Sequence, residues 1–197
     1  MIRRTQAERS DATTSKLVAA AQQLFGRDGY AATTIGAVAT VAGMTKGAAY
    51  HHFLNKATLF REVFIREQEE ISAALLSAAA QEPDPWAALL RGCQTFLEHC
   101  LDPGFRQIVL LDGPAVLGWE AVREIQRDHT LRVLTEGVRA VTADGGDPGI
   151  RSQLIFGALC EAGMLLARSG DPRGDLPAVV TEAARLLSSL SLEPHRT

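Results

Sequence analysis

Residues 34–53 read Thr-Ile-Gly-Ala-Val-Ala-Thr-Val-Ala-Gly-Met-Thr-Lys-Gly-Ala-Ala-Tyr-His-His-Phe, and this order specifies two short helices joined by a tight turn. Thr34 caps the first, Ile35 to Ala42, whose Val38, Ala39 and Ala42 point inward. Gly43 stands where a helix end needs a positive φ, and Ala39, four residues earlier, is small where two helices cross closely. Thr45 is the natural N-cap of the second helix, which runs through His52. Gly47 and Ala48 keep its leading end thin enough for backbone to approach a duplex. Lys46, Tyr50 and His51 can reach phosphates, and Thr45 or Lys46 a base edge. Phe53, three residues after Tyr50, anchors the helix in the core while Tyr50 points partly outward. The design is a helix-turn-helix. Ala-x-x-x-Gly alone also serves packing in helical hairpins; the caps, the basic residues and a following helix make the pattern specific.

Working outward, Thr14 to Arg27 places Leu17, Ala20, Ala21, Leu24 and Phe25 on one face of an amphipathic helix, and Gly29 supplies a stop. Asn55 caps a long helix to about Ala80 that carries Leu59, Phe60, Val63, Phe64, Ile71 and Leu75, and Gln81 to Pro85 breaks the chain. Helices are then expected over Trp86 to Leu101, Phe105 to Leu111, Trp119 to about Ala143, Ile150 to Arg168 and Leu176 to Leu190. Asp112-Gly113-Pro114 and the glycine-rich turn from Asp144 to Gly149 read as interruptions. No internal repeat and no strand-like alternation long enough for a sheet is present, so the fold class is all-α. The expected division is a DNA-binding domain, residues 1–56, and a helical effector-binding and dimerisation domain, residues 57–197.

The 197 residues, 46% hydrophobic and 22% charged, have the composition of an ordinary globular protein, and the net charge is −3. That charge is unevenly placed. Residues 1–56 hold seven basic and three acidic residues, whereas the rest holds thirteen basic and twenty acidic ones. A basic head on an acidic body suits a polyanion, because local charge attracts a phosphate backbone. Three cysteines, Cys93, Cys100 and Cys160, form no C-x-x-C pair and support neither a disulfide framework nor a zinc ribbon. The polar N-terminus lacks the apolar segment of a signal peptide, and no run of about 18 apolar residues follows, so a cytoplasmic location without a membrane is expected. There is no Gly-rich phosphate loop, no Glu-x-x-His pair and no Gly-x-Ser-x-Gly, hence no expected catalytic residue, metal or cofactor.

The segment from Lys16 to Phe64 closely resembles the N-terminal domain of TetR-type transcriptional repressors. The likeness lies in Leu24-Phe25, Gly29-Tyr30, Thr34-Ile35, Val38-Ala39, Ala42-Gly43, Lys46-Gly47, Tyr50-His51-His52-Phe53, Asn55-Lys56 and Leu59-Phe60. The resemblance implies that Thr34 binds a phosphate, that Thr45, Lys46, Gly47 and Ala48 form the reading end, and that Tyr50, His51 and Lys56 clamp phosphates. It also implies an all-helical ligand-binding body and a homodimer held by the last two long helices. The family often carries a hydroxyl or a second small residue where Thr45-Lys46 and Ala48-Ala49 stand, which leaves the bases read open.

Ile150 to Arg168 is apolar nearly all round and so needs burial on more than one side, which a two-fold contact would supply and a central core position would also explain. Cys93, Phe96, Phe105, Trp119 and Phe156 are the candidates to line a cavity for a small-molecule effector, and as a set they are equally explained as core. Arg106, Asp112 and Arg123 read as polar handles for that cavity or as surface charges, and His52 as merely polar surface. Cys93 and Cys100 read as buried filler, and Arg3 and Arg4 as a minor-groove arm or a tail. The expected function is a ligand-responsive repressor that binds double-stranded DNA as a homodimer on a palindromic operator. The alternatives are a DNA-binding regulator without a small ligand and a helical enzyme.

Overall fold

The computed structural model describes residues 6–142 and 146–190, and every regular element among them is helical. Arg3 and Arg4 lie outside the described residues, as do Asp144 and Gly145 of the glycine-rich turn. Three helices make the head: α1 (Gln6–Ala32), α2 (Ile35–Val41) and α3 (Lys46–His52). The body holds α4 (Lys56–Ala79), α5 (Pro85–His99), α6 (Pro103–Phe105), a π-helical turn (Arg106–Asp112), α7 (Gly113–Leu117), α8 (Trp119–Asp128), α9 (Thr130–Val141), α10 (Pro148–Arg168) and α11 (Pro172–Leu190).

The head core is the one the periodicity predicts. Leu17, Ala21 and Phe25 of α1 bury against Val38 and Ala39 of α2, Ala49 of α3, and Phe53. Phe60 and Phe64 of α4 join the same cluster, so the head and body share apolar contacts instead of being strung on a linker. Phe25, Tyr30 and Phe60 interlock, with Tyr30 stacked on Phe25 at 5.7 Å and both rings edge-on to Phe60 at 5.2 Å. In the body α4 packs on α5, α5 and α10 on α9, and α11 on α10.

Local signals misplace several boundaries. Helix α1 starts before Thr14, and its regular part stops where expected, at the non-helical Gly29 (φ +78°, ψ 167°), beyond which a further short turn reaches Ala32. The expected helix over Phe105 to Leu111 is α6 followed by a π-helical turn, and Gly113-Pro114 opens α7 instead of interrupting. Proline is tolerated there because a first helical turn needs none of its own N–H groups. The helix expected from Trp119 to Ala143 breaks at His129 (φ −125°, ψ −105°). The break seats the Thr130 hydroxyl so that it donates to Gln68 Oε1 on α4 at 2.7 Å, a contact 62 residues apart that no local pattern encodes.

Glu67 of α4 is buried where α1 crosses it, and Gln22 Nε2 donates to Glu67 Oε1 at 2.9 Å and to Glu70 Oε2 at 3.0 Å. Burial pushes the Glu67 carboxyl up, and Glu70 and Asp102 push the same way, against the Gln22 hydrogen bond and Arg66. A carboxyl whose folded pKa is raised binds its proton more tightly in the native state. Its ionisation therefore destabilises the fold as pH rises through that pKa. Glu67→Gln is expected to melt higher than the parent protein at pH 7, with the difference shrinking as pH falls toward the ordinary carboxyl range. Melting curves across that span check it, and a lower melting temperature at pH 7 would contradict it.

Candidate nucleic-acid interface

The two short helices are fixed by their caps. Thr34 Oγ1 accepts from Ala37 N at 3.1 Å, and Thr45 Oγ1 accepts from Ala48 N at 3.2 Å. Each hydroxyl spends a lone pair on its helix and keeps its own O–H to donate outward, which is what a phosphate oxygen requires. Between them Gly43 adopts φ +69°, Met44 N donates to Ala39 O at 2.8 Å, and Ala42 N to Val38 O at 2.9 Å. A side chain with a Cβ is strained at that φ, so the turn depends on glycine.

α3 stands on the head through buried Ala49, and Phe53 just past its end is buried too. His52 is not the plain polar surface expected: it is half-buried and ties α3 back to α1, its Nδ1 lying 3.2 Å from Thr14 Oγ1. The other face is open: Thr45, Lys46, Gly47, Tyr50 and His51 are exposed and Ala48 is half-buried. Lys46 Nζ lies 5.8 Å from the Tyr50 ring centroid, so the cation and the phenol sit on one side of the helix. Thr34 is exposed as well, at the start of α2. Two exposed apolar residues flank this surface, Val41 at the end of α2 and Leu54, 82% exposed, just after α3. Nothing in the sequence pattern singled out either.

Lys56 differs from the expectation. Its ammonium does not face outward with Tyr50 and His51. It donates to Tyr30 O at 2.7 Å, Thr33 O at 2.9 Å and Ala31 O at 3.4 Å, and lies 4.1 Å from the Tyr30 ring centroid. The three donors of an ammonium are thereby engaged with carbonyls of the short segment that leads from the Gly29 kink to α2. Tyr30 is also held from the body, since its N–H donates to Asp112 Oδ2 at 2.7 Å. Asp112 is thus neither a cavity handle nor a solvated charge. It closes a chain from the π-helical turn through Tyr30 to Lys56 at the first turn of α4. The signal for this hub is a contact across 82 residues, beyond any local reading.

The five residues expected around an effector separate. Cys93, Phe96 and Phe156 line one apolar cavity of about 80 Å³ between α4, α5, α9 and α10. Phe105 packs edge-on against Phe96 at 6.1 Å but faces a different groove, beside Gln22, Glu67 and His99. Trp119 is 61% exposed at the start of α8, with the Arg123 guanidinium 4.6 Å from its ring and 5.4 Å from that of Phe156. A tryptophan beginning a helix after the glycine corner of Gly118 has no inward side there, which spacing alone did not reveal. Arg106 donates to Cys100 O, so it too is a structural residue. Burial pushes the Cys93 and Cys100 thiols up to about 12, which keeps them protonated and unreactive, in keeping with core filler.

Residues 17–63 match the family described as bacterial regulatory proteins, tetR family, and residues 86–190 match the tetracyclin repressor-like C-terminal domain. The HTH-type transcriptional regulator TtgR of Pseudomonas putida is 36% identical over 110 residues, covering 55% of this chain and 52% of that protein. The chain therefore spans about half the length of this curated relative. A TetR-family transcriptional regulator from Pectobacterium atrosepticum is 30% identical, with TM-score 0.76 over 98% of this chain and 100% of that one. The regulator FadR of Bacillus subtilis, solved in complex with stearoyl-CoA, shares the fold at 19% identity, with TM-score 0.75 over 91% of this chain and 99% of that one. With an exposed, capped helix-turn-helix on an all-helical body and both of its parts matched, the chain belongs to the TetR family and is a transcriptional regulator, not an enzyme.

Proposed function

We propose that the chain is a repressor that binds a palindromic operator as a homodimer and is released by a small-molecule effector. The observation that carries this reading is the exposed tip of α3: Thr45, Lys46, Gly47 and Ala48 at its leading end, with Tyr50 and His51 beside them and Thr34 on α2. In this arrangement Lys46, Tyr50, His51 and the hydroxyl of Thr34 contact backbone phosphates, and Thr45 or Lys46 reads a base edge in the major groove. Lys56 supports the tip from behind. Residues 1–56 act as the DNA-binding domain and residues 57–197 as the effector-binding and dimerisation domain.

The dimer is supported by an uncovered apolar face. Helix α10 is long and apolar enough to cross a membrane by composition, yet only a third of that stretch is buried within one chain. Its other side leaves Ile150, Leu154 and Leu165 exposed, and Leu154 and Leu165 line, with Leu186 of α11, a largely apolar groove of about 600 Å³. A face of this kind marks an interaction surface, and a self-complementary two-fold contact between copies covers it most economically. Two heads then meet successive major grooves about 34 to 36 Å apart.

The apolar cavity supports the effector reading. Helix α4 runs unbroken from Lys56, which grips the head, to Ala79, which lines the cavity. An effector that prefers a different setting of the cavity walls shifts the population of head positions by its differential affinity, about 5.5 kcal/mol for a shift from 1:99 to 99:1.

Selection of duplexes from a random library by the purified chain tests the proposal: an inverted repeat is expected, and a single asymmetric site or no enrichment would contradict it. On the selected duplex, Lys46→Ala is expected to lower affinity about tenfold and the logarithmic salt slope by about two, one phosphate per head. Fluorescence anisotropy at several salt concentrations reads both quantities. An unchanged slope would remove Lys46 from the phosphate contacts.

A further inference from the structure

The cavity between α4, α5, α9 and α10 has a restricted chemistry. Its volume is about 80 Å³, and Leu75, Leu89, Phe96, Val133 and Phe156 are among the apolar side chains of its wall. No charged side chain lines it. Thr130 provides the one hydroxyl, and that hydroxyl's proton is already engaged with Gln68 Oε1 at 2.7 Å. Its neighbour Ser72 donates to Gln68 O at 2.6 Å and lies 3.4 Å from Thr130 Oγ1. What remains for a ligand is a lone pair on Thr130 and the weakly polar thiol of Cys93, so no strong donor is on offer.

These facts bound the occupant. An anion or cation seated there would lose its hydration with no opposite charge to replace it, a cost of several kcal/mol that neutral molecules escape. An apolar cavity of about 150 Å³ holds one benzene ring. A smaller one takes at most a single ring or a short branched chain, and the walls must yield slightly to admit it.

Gly92 supplies the second observation. It lies in the interior of α5, half-buried, where glycine weakens a helix relative to alanine. A Cβ built on it meets no atom within 4 Å, so no packing demands its absence. Gly92 nevertheless lines the cavity, with Gly137 of α9 also in the lining. The missing side chain leaves open space beside α5 at the cavity wall.

We propose that this cavity takes an uncharged, compact molecule of one ring or a short branched chain, with at most one hydrogen-bond donor, admitted past Gly92. The proposal deepens the effector reading above and depends on it.

The test uses the full chain with toluene, phenol, benzoate and dodecanol as probes. Toluene and phenol at about 1 mM are expected to raise the melting temperature by about 3 °C or more, and benzoate and dodecanol by less than about 0.5 °C. Gly92→Leu, which fills that space, is expected to abolish the toluene shift. Gly92→Ala, a milder change, is expected to raise the ligand-free melting temperature and reduce the shift at least twofold. Benzoate or dodecanol acting as strongly as toluene would overturn the proposal, as would a toluene shift that both variants leave intact. If none of the four probes shifts the protein while another compound releases it from the selected operator, the ligand class is wrong and the effector reading stands. If no compound releases it, the effector reading itself falls.

Discussion

A Leu154→Arg protein is expected to sediment as one chain and to bind the selected operator at least a hundredfold more weakly than the parent. Leu154 is 65% exposed on α10, on the groove that Leu186 of α11 shares. Burying an exposed leucine against a second copy contributes about 1.5 to 3 kcal/mol, and a two-fold contact counts each residue twice. An arginine in its place costs several kcal/mol, because its charge would lose hydration in an apolar contact whose two carboxylates, Glu161 and Glu182, are already paired with Arg168 and Arg185. The dimer would give way first, leaving one head for one half-site. The substitution lies in the body, outside the α3 surface, so a loss of operator binding would come through the lost partner. Sedimentation equilibrium together with anisotropy reads both effects. A Leu154→Arg protein that remained dimeric would place the contact elsewhere.

The second large effect is expected at Lys56, where the structure and the family resemblance disagree. As a phosphate clamp, Lys56→Ala would lower the salt slope of operator binding by about two per dimer and leave the fold unchanged. As a grip on Tyr30, Ala31 and Thr33, it would instead destabilise the head by roughly 1.5 to 3 kcal/mol, the range for hydrogen bonds to a charged group. We expect the second outcome: a lower melting temperature, weaker operator binding and an unchanged slope. Asp112→Asn is the companion, since it keeps an acceptor for Tyr30 N and removes only the charge, and its effect should be the smaller. A slope that fell with an unchanged melting temperature would restore the clamp.

The parts of the molecule legible in the sequence are those set by nearest neighbours along the chain. Thr34, Gly43 and Thr45 announce the caps and turn of the helix-turn-helix, because a cap involves a hydroxyl and an amide three residues away. The inward stripe of α1, from Leu17 to Phe25, is a periodicity and is buried as expected. What stayed hidden depends on residues far apart. The break at His129 answers to Gln68, the docking of Tyr30 answers to Asp112, and the inward turn of Lys56 answers to the end of α1. Aromatic content could nominate Phe96, Phe105, Trp119 and Phe156 together, but only the crossing of α5 and α10 decides which share a cavity. Gly92 was invisible for the opposite reason. A glycine inside a helix announces nothing until the space beside it is seen.

The surface formed by the leading end of α3 faces solvent, and on it the DNA-binding reading stands. Dimethyl sulfate methylates guanine N7, which opens only to the major groove, so protection of the selected operator reports groove occupancy directly. Two protected clusters, one about 10 base pairs from the other on the same side of the duplex, are predicted. Both clusters should be lost together in Leu154→Arg. A footprint confined to minor-groove positions, or a single protected cluster on a dimeric protein, would contradict it.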